Sequence, residues 1–179
     1  AMRADTVSTA YETLDDTLRY VHGSAEVIGL MMAKIMRLPP EAMDAAAMQG
    51  RAMQFINFIR DIDEDIQLSR NYFPSADLKK YGLSDLEHAT TRARQDEFRE
   101  FICFELSRYH EWQKQADAGM HYIPKRYRLP IQTAASSYEW TARQIARDPF
   151  VVYRYKVKPG KAKILIAALG HMLPAAKLN

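Results

Sequence analysis

The residues best suited to chemistry are the polar side chains between Gln54 and Asp65. Wound on a helix at about 100° per residue, five of them fall within about 80° of Asn57: Gln54, Arg60, Asp61, Glu64 and Asp65. Four apolar residues fall on the opposite side: Phe55, Phe58, Ile59 and Ile62. Asp63 lies off the polar face and is expected to matter less. The pattern predicts a helix that turns an apolar side to a core and a polar face to a ligand.

The spacing on this polar face suits a divalent cation. Asn57, Asp61 and Asp65 are four residues apart, so their side-chain oxygens line up along one side of the helix. Carboxylates packed this closely repel one another and are costly to keep ionised in a cleft without a cation. Oxygen ligands favour Mg²⁺ or Mn²⁺ over zinc, and Mg²⁺ usually adds water and phosphate to one or two carboxylates. The face therefore predicts a metal-bridged phosphate or diphosphate, with a solvated acidic surface as the alternative.

The same residues, extended to Pro74, resemble the second aspartate-rich motif of the squalene and phytoene synthase family. The family pattern Gln-x2-Asn-x2-Arg-Asp-x2-Glu-Asp-x4-Arg-x-Tyr-x-Pro is met at every defined position. The segment from Tyr20 to Met31 resembles the family's Tyr-x2-Gly-x-Ala-x3-Gly helix, and Tyr138 with the segment 148–154 resembles its C-terminal region. Within the family, the motif is most similar to that of archaeal phytoene synthases.

The resemblance implies an all-α fold, an isoprenoid-synthase-type helical bundle. Residues 1–179 would form a single domain that corresponds to the C-terminal two-thirds of the family domain. The implied reaction is head-to-head condensation of two prenyl diphosphates, here two geranylgeranyl diphosphates to phytoene through a cyclopropyl intermediate. One alternative is a squalene or dehydrosqualene synthase that uses farnesyl diphosphate, with NADPH needed only if squalene is the product. Others are a non-catalytic scaffold or assembly homologue and an inactive fragment.

The resemblance also implies roles for individual residues. The metal, Mg²⁺ or Mn²⁺, would be held by Asp61 and Asp65, with Asn57 and Glu64 in support. The catalytic group would be Tyr20, Asp61, Asp65 and Tyr138. The residues that orient the polar face or contact the substrate diphosphate would be Gln54, Asn57, Arg60, Arg70, Tyr72 and Arg154.

One feature departs from the family pattern. Members carry a first aspartate-rich motif N-terminal to the Tyr20 helix, and the nearest acidic pair here, Asp15 and Asp16, lacks a further Asp at helical spacing. We therefore expect the chain to be N-terminally incomplete and nearly inactive by itself. Absent helices would leave an apolar groove exposed, which favours self-association.

Composition narrows the protein class. Hydrophobic residues make up 47% of the chain and charged residues 26%, as in an ordinary globular protein. A net charge of +3 is too small to indicate a nucleic-acid partner. Cys103 is the single cysteine, so there is no disulfide framework. A cytoplasmic protein fits these features, and the basic stretch 154–163 is compatible with peripheral contact to an anionic membrane.

Apolar periodicity and helix breakers predict where the helices lie. We expect helices over residues 9–36, 41–68, 91–120, 129–146 and 161–173, with a further short helix N-capped by Ser84. The segment 150–157 is expected to be extended. Met31, Met32 and Met36 are expected to line a core or cavity. Gly23 and Gly29, which are unfavourable inside a helix, indicate close helix packing or room for a prenyl chain.

Overall fold

The computed structural model describes residues 11–172, and within that range the regular structure is entirely helical. The α-helices are α1 (Leu14–Val21), α2 (Val27–Ile35), α3 (Met43–Arg60), α4 (Ile62–Gln67), α5 (Ser75–Lys80), α6 (His88–Ala93), α7 (Gln95–Ala118), α8 (Lys125–Arg147) and α9 (Lys161–Met172). A π-helical turn, His22–Glu26, joins α1 to α2, and 3₁₀ turns occupy Pro40–Ala42, Met120–Tyr122 and Pro149–Tyr153. The all-α prediction is confirmed.

Several predicted boundaries need correction. The first helix begins at Leu14 and contains the π-helical turn, while residues 9 and 10 lie outside the described residues. Ser84 does not cap a helix, because Glu87 is the residue before α6 and its N–H donates to the Asp85 side chain. Residues 150–153 of the segment predicted to be extended belong to a 3₁₀ turn instead, since the Asp148 carboxylate accepts from the N–H of Phe150 and starts the turn.

The helix predicted over 41–68 is interrupted at Asp61. This residue separates α3 from α4 and has φ −99° and ψ 16°. Neighbouring residues on a regular helix do not face each other, so the pairing of Arg60 with the Asp61 carboxylate accompanies a local distortion. The N–H groups of Asp61 and Asp65 still donate to the carbonyls of Asn57 and Asp61, each over 2.8 Å. The i to i+4 register is therefore kept across the break.

Helices α2 and α3 cross at very short range. A Cβ atom added to Gly29 would lie 2.1 Å from the Ala46 carbonyl oxygen, and one added to Gly50 would lie 2.4 Å from that of Ala25. The pairs Ala25–Gly50 and Gly29–Ala46 run in opposite directions along the two helices, so α2 and α3 are antiparallel. Glycine is needed at both positions because any side chain would push the backbones apart.

Helix α7 provides much of the buried core against α3. Its buried residues include Phe98, Phe101, Ile102, Leu106 and Tyr109. Across the interface, the ring of Phe55 meets that of Trp112 edge to face, with centroids 4.9 Å apart. Burying each such large side chain contributes about 1.5–3 kcal/mol to folding. This packing fixes α3, and with it the polar motif at its C-terminal end.

One carboxylate lies in this core. Glu105 is fully buried on α7, and Arg108 donates to both of its oxygens while also pairing with Asp77. Burial raises the pKa of Glu105 to about 7, because loss of hydration outweighs the attraction of Arg108. A raised pKa in the folded state means that this contribution to stability is complete below the ordinary value and is lost as pH rises through about 7.

We therefore expect Glu105→Gln to reduce the loss of stability between pH 5 and pH 8. The difference in unfolding free energy between variant and wild type should shift in favour of the variant by about 2 kcal/mol over this interval. Urea denaturation at both pH values measures it. Glu100→Gln, at an exposed position on the same helix, is the control and should keep the wild-type pH dependence. If Glu105→Gln behaves like this control, Glu105 does not titrate in this range.

Candidate functional site

An apolar cavity of about 320 Å³ lies between α2, α3, α7 and α8. One face of α3, together with Ala42 just before it, lines the cavity at Ala42, Ala45, Ala46, Gln49, Gly50, Met53, Gln54 and Asn57. From Met43 to Asn57 the helix extends over about 22 Å. Small residues along this face leave the space open, so the cavity is long and narrow enough for an extended hydrocarbon chain.

The two ends of the cavity differ in chemistry. Polar side chains of Gln54, Asn57 and Tyr138 lie at one end. Because α2 and α3 are antiparallel, the C-terminal end of α2 lies beside the start of α3. The remote end is therefore formed by apolar groups: Met36, Leu38, Ala42, Gly119 and Ile123. The structure thus places three of the predicted site residues together at the polar end.

Asn57 has an unusual environment at the polar end. Its side-chain oxygen Oδ1 is buried and has no hydrogen-bond partner among the described residues. An unsatisfied buried amide oxygen costs about 1–3 kcal/mol. Such an atom is expected to have a partner in the working protein, either a cation or a donor group of a ligand.

A cluster of charges begins one helical turn beyond Asn57. Arg60 binds the Asp61 carboxylate with two hydrogen bonds, Nε to Oδ1 at 2.7 Å and Nη2 to Oδ2 at 2.5 Å. Lys156 Nζ lies 3.3 Å from Asp61 Oδ1 and 2.6 Å from Glu64 Oε2. The hydrogen bond to Glu64 raises the pKa of Lys156, so this residue stays a cation at neutral pH. We name these four side chains the charge cluster.

Asp65 lies beside the charge cluster, and nearby positive charges only partly offset its negative charge. Burial raises the pKa of Asp65 to about 6, and the negative charge of Asp61 adds to this effect, while Arg70 and Lys156 oppose it. Asp65, Arg70 and Tyr72 also line one small cleft. A carboxylate held in this way attracts a further cation, which would lower its pKa again.

Tyr20 and Tyr72 belong to an aromatic stack next to the motif. Tyr72 is buried between Phe58 and Tyr20, with ring centroids 4.3 and 5.1 Å away. Tyr72 also ties this region to α1, because its carbonyl accepts from the Thr17 hydroxyl. Tyr138 lies elsewhere, at the polar end of the cavity and within electrostatic range of Arg60.

Sequence reasoning missed Lys156 and singled out its neighbour. Arg154 pairs with Asp148, whereas Lys156, two residues later, contacts the motif carboxylates. Lys156 and Glu64 are 92 positions apart in the chain, so periodicity within the motif could not connect them. The available signal was the basic stretch 154–163, which was interpreted only as a surface that could contact an anionic membrane.

The outer side of α2 is apolar and exposed. Met31 and Ile35 lie there, together with Ile28 and Met32, which are about half exposed and also line the cavity. Met31 is 60% exposed and does not line the cavity, so the expectation that it lines a core or cavity is wrong. Met32 and Met36 do line the cavity. Self-association through this surface and peripheral membrane contact stay predictions. Among the helices of residues 11–172, none is long and apolar enough to cross a membrane.

The oxygen donors of this site suit a metal ion whose remaining coordination positions are filled by water and by a bound phosphate ligand. Within the described part of the chain, no three His, Cys, Asp or Glu side chains converge closely enough to hold a metal ion by themselves. Two carboxylates, Asp61 and Asp65, with the unpaired oxygen of Asn57 are nevertheless the usual protein share for Mg²⁺, which draws its other ligands from water and phosphate. These residues therefore fit a metal bound together with a phosphate or diphosphate group.

Comparison with known proteins adds independent information. The profile of the Squalene/phytoene synthase family matches residues 1–163. The chain is 34% identical to the 15-cis-phytoene synthase of Enterobacter agglomerans over 93% of its own length, and 36% identical to the phytoene synthase of Pseudescherichia vulneris over 96%. It is 28% identical to the chloroplastic phytoene synthase of Narcissus pseudonarcissus over 93%. These relatives are bacterial and plant proteins, so the similarity to archaeal enzymes stays a prediction.

Solved structures show the same fold. The squalene synthase of Alicyclobacillus acidocaldarius superposes with a TM-score of 0.74 at 26% identity, over 83% of this chain and 56% of that one. A dehydrosqualene synthase solved with a ligand gives a TM-score of 0.70 at 17% identity, over 92% of this chain and 59% of that one, which supports the fold alone. The chain spans 57% of the Enterobacter relative, 56% of the Pseudescherichia relative and 41% of the Narcissus relative.

Proposed function

Because the chain belongs to the squalene/phytoene synthase family, we propose that its site joins two prenyl diphosphates head to head. The observation that carries the proposal is the junction at Asn57. There the polar end of an apolar cavity of about 320 Å³ lies one helical turn before the charge cluster, and Asp65 lies one turn further along the chain. A junction of this kind suits a molecule with a long hydrocarbon chain at one end and a diphosphate at the other.

The substrate we propose is geranylgeranyl diphosphate and the product phytoene. Two observations support the longer substrate over farnesyl diphosphate. The cavity follows α3 for about 22 Å, and the bacterial relatives that share 34–36% identity are named phytoene synthases. A product of this type forms without reduction, so NADPH has no part in the proposed reaction.

The metal-binding roles follow from the oxygen donors at the junction. Asp61 and Asp65 would hold a divalent cation, Mg²⁺ or Mn²⁺, with Asn57 Oδ1 and Glu64 as further donors. When bound, the cation neutralises a diphosphate leaving group. Arg60 fixes the orientation of Asp61 through two hydrogen bonds.

Other side chains of the chain act on the two parts of the substrate. Gln54 and Tyr138 line the polar end of the cavity, where the hydrocarbon chain would meet the diphosphate. Arg70 lies close to Asp65 and adds positive charge beside the cleft. The walls of the cavity are apolar, and once substrate fills it they would keep water from an allylic carbocation. The rings of Tyr20 and Tyr72 stack on each other, and Tyr72 lines the cleft beside Asp65, where it would help to position that carboxylate.

The test is an assay of the full gene product with Mg²⁺ and either farnesyl or geranylgeranyl diphosphate, with the hydrocarbons identified by mass. We expect phytoene from the C20 substrate, with no change on adding NADPH. Squalene or dehydrosqualene as the main product would contradict the C20 assignment and leave the condensation intact. No hydrocarbon from either substrate would contradict the proposed function and favour a scaffold protein.

A further inference from the structure

Lys156 contacts Asp61 and Glu64, two of the carboxylates assigned to the proposed metal site. We propose that Lys156 is an exchangeable counter-ion, which neutralises Asp61 and Glu64 before the metal binds and then transfers to the diphosphate. The proposal rests on the proposed function, since it needs a divalent cation and a diphosphate at this site. It assigns to Lys156 a positioning and substrate-binding role that the motif residues alone do not provide.

The contacts show which of the two cations on Asp61 can leave. Arg60 holds Asp61 through two short hydrogen bonds, and both side chains are largely shielded, at 17% and 18% exposure. Lys156 reaches Asp61 with a single longer contact of 3.3 Å and is 37% exposed. A planar guanidinium in a two-point contact is harder to displace than an ammonium on a flexible stem. A metal that binds Asp61 would therefore displace Lys156 and leave Arg60 in place.

The backbone around Lys156 is anchored, so its side chain can move while its base stays near the site. Val157, the next residue, is buried, and its carbonyl accepts from the Thr141 hydroxyl of α8. On the other side, the Tyr153 hydroxyl donates to the Leu86 carbonyl over 2.7 Å. The ammonium released from the carboxylates therefore stays within reach of a diphosphate bound at the metal.

The counter-ion role makes two predictions of opposite sign for Lys156→Gln. Without the ammonium, Asp61 and Glu64 are freer to bind a metal, so Mn²⁺ alone should bind about two- to fivefold more tightly. Inorganic diphosphate, measured with saturating Mn²⁺, should bind about tenfold more weakly, because a charged hydrogen bond is lost. A residue with a merely structural role would not move the two affinities in opposite directions.

Both affinities are measured on the 179-residue chain, by calorimetry and by electron paramagnetic resonance of free Mn²⁺. Lys158→Gln is the matched control, because it removes the same charge from an exposed residue of the same segment. We expect it to leave both affinities near wild type. Lys156→Arg keeps the charge and should retain diphosphate binding without the gain in Mn²⁺ affinity.

Three outcomes would overturn the proposal. In the first, Lys156→Gln leaves Mn²⁺ affinity unchanged or lowers it. In the second, Lys158→Gln shifts both affinities as much as Lys156→Gln does, so the effect is only general charge. In the third, the wild-type chain binds no Mn²⁺, which also removes the proposed metal site. Hydrocarbon formation by the full gene product separates these cases, because it can persist when only the role of Lys156 is wrong.

Discussion

Asp61→Asn and Asp65→Asn are each expected to lower turnover by about 100-fold or more, whereas Asp63→Asn should keep it within about twofold. The first two changes each remove a negative charge from the proposed metal site while preserving side-chain shape. Asp63 lies elsewhere, since it accepts from Gln67 one turn later and its charge acts on Tyr153. The measurement is hydrocarbon formation by the full gene product at saturating Mg²⁺.

As a control for loss of folding, the thermal melting of each variant is measured without metal. The pKa of Asp65 is raised in the folded protein, so its ionised form disfavours folding as pH rises through about 6. Asp65→Asn should therefore be at least as stable as wild type at pH 7.5, and a loss of activity cannot then be attributed to unfolding. Equal losses of turnover at Asp63 and Asp61 would show that the assignment of the metal-binding side is wrong.

The sequence predicted the polar face well because helical periodicity is a local property. The predicted apolar side, which includes Phe55, Phe58, Ile59 and Ile62, is buried. The break at Asp61 could not be predicted from periodicity, because it accompanies a side-chain pairing of adjacent residues that a regular helix does not favour. The i to i+4 register is kept across this break, because two backbone hydrogen bonds continue across it.

Features that join distant parts of the chain were harder to foresee. Gly29 indicated that its helix packs closely against another. That Gly50 lies on the partner helix at the same crossing is seen only when the two helices are placed together. The cavity needs four helices to form, and composition gives no hint of its direction or of which residues close its remote end. Lys156 meets the motif through tertiary folding alone, so a search for motifs assigned its role to Arg154.

The remote end of the cavity is expected to limit the length of the prenyl chain. Met36→Trp places a large ring among Leu38, Ala42 and Ile123, where the fourth isoprene unit of a C20 substrate would lie. Ile123→Trp fills the same region from a different element. Each variant should lower the ratio of C20 to C15 turnover by at least about tenfold, because apolar pockets discriminate strongly against chains that no longer fit.

Competition between farnesyl and geranylgeranyl diphosphate, with products separated by mass, measures this ratio in the full gene product. Met31→Trp is the matched control, since it makes the same substitution on α2, which ends just before Met36, at a residue that is exposed and does not line the cavity. Thermal melting checks that each variant is folded. Two cavity variants on separate elements guard against a local packing defect, because only a shared loss of space predicts the same change from both. If both keep the wild-type ratio, the prenyl chain does not extend to the remote end, and the argument from the cavity for a C20 substrate fails.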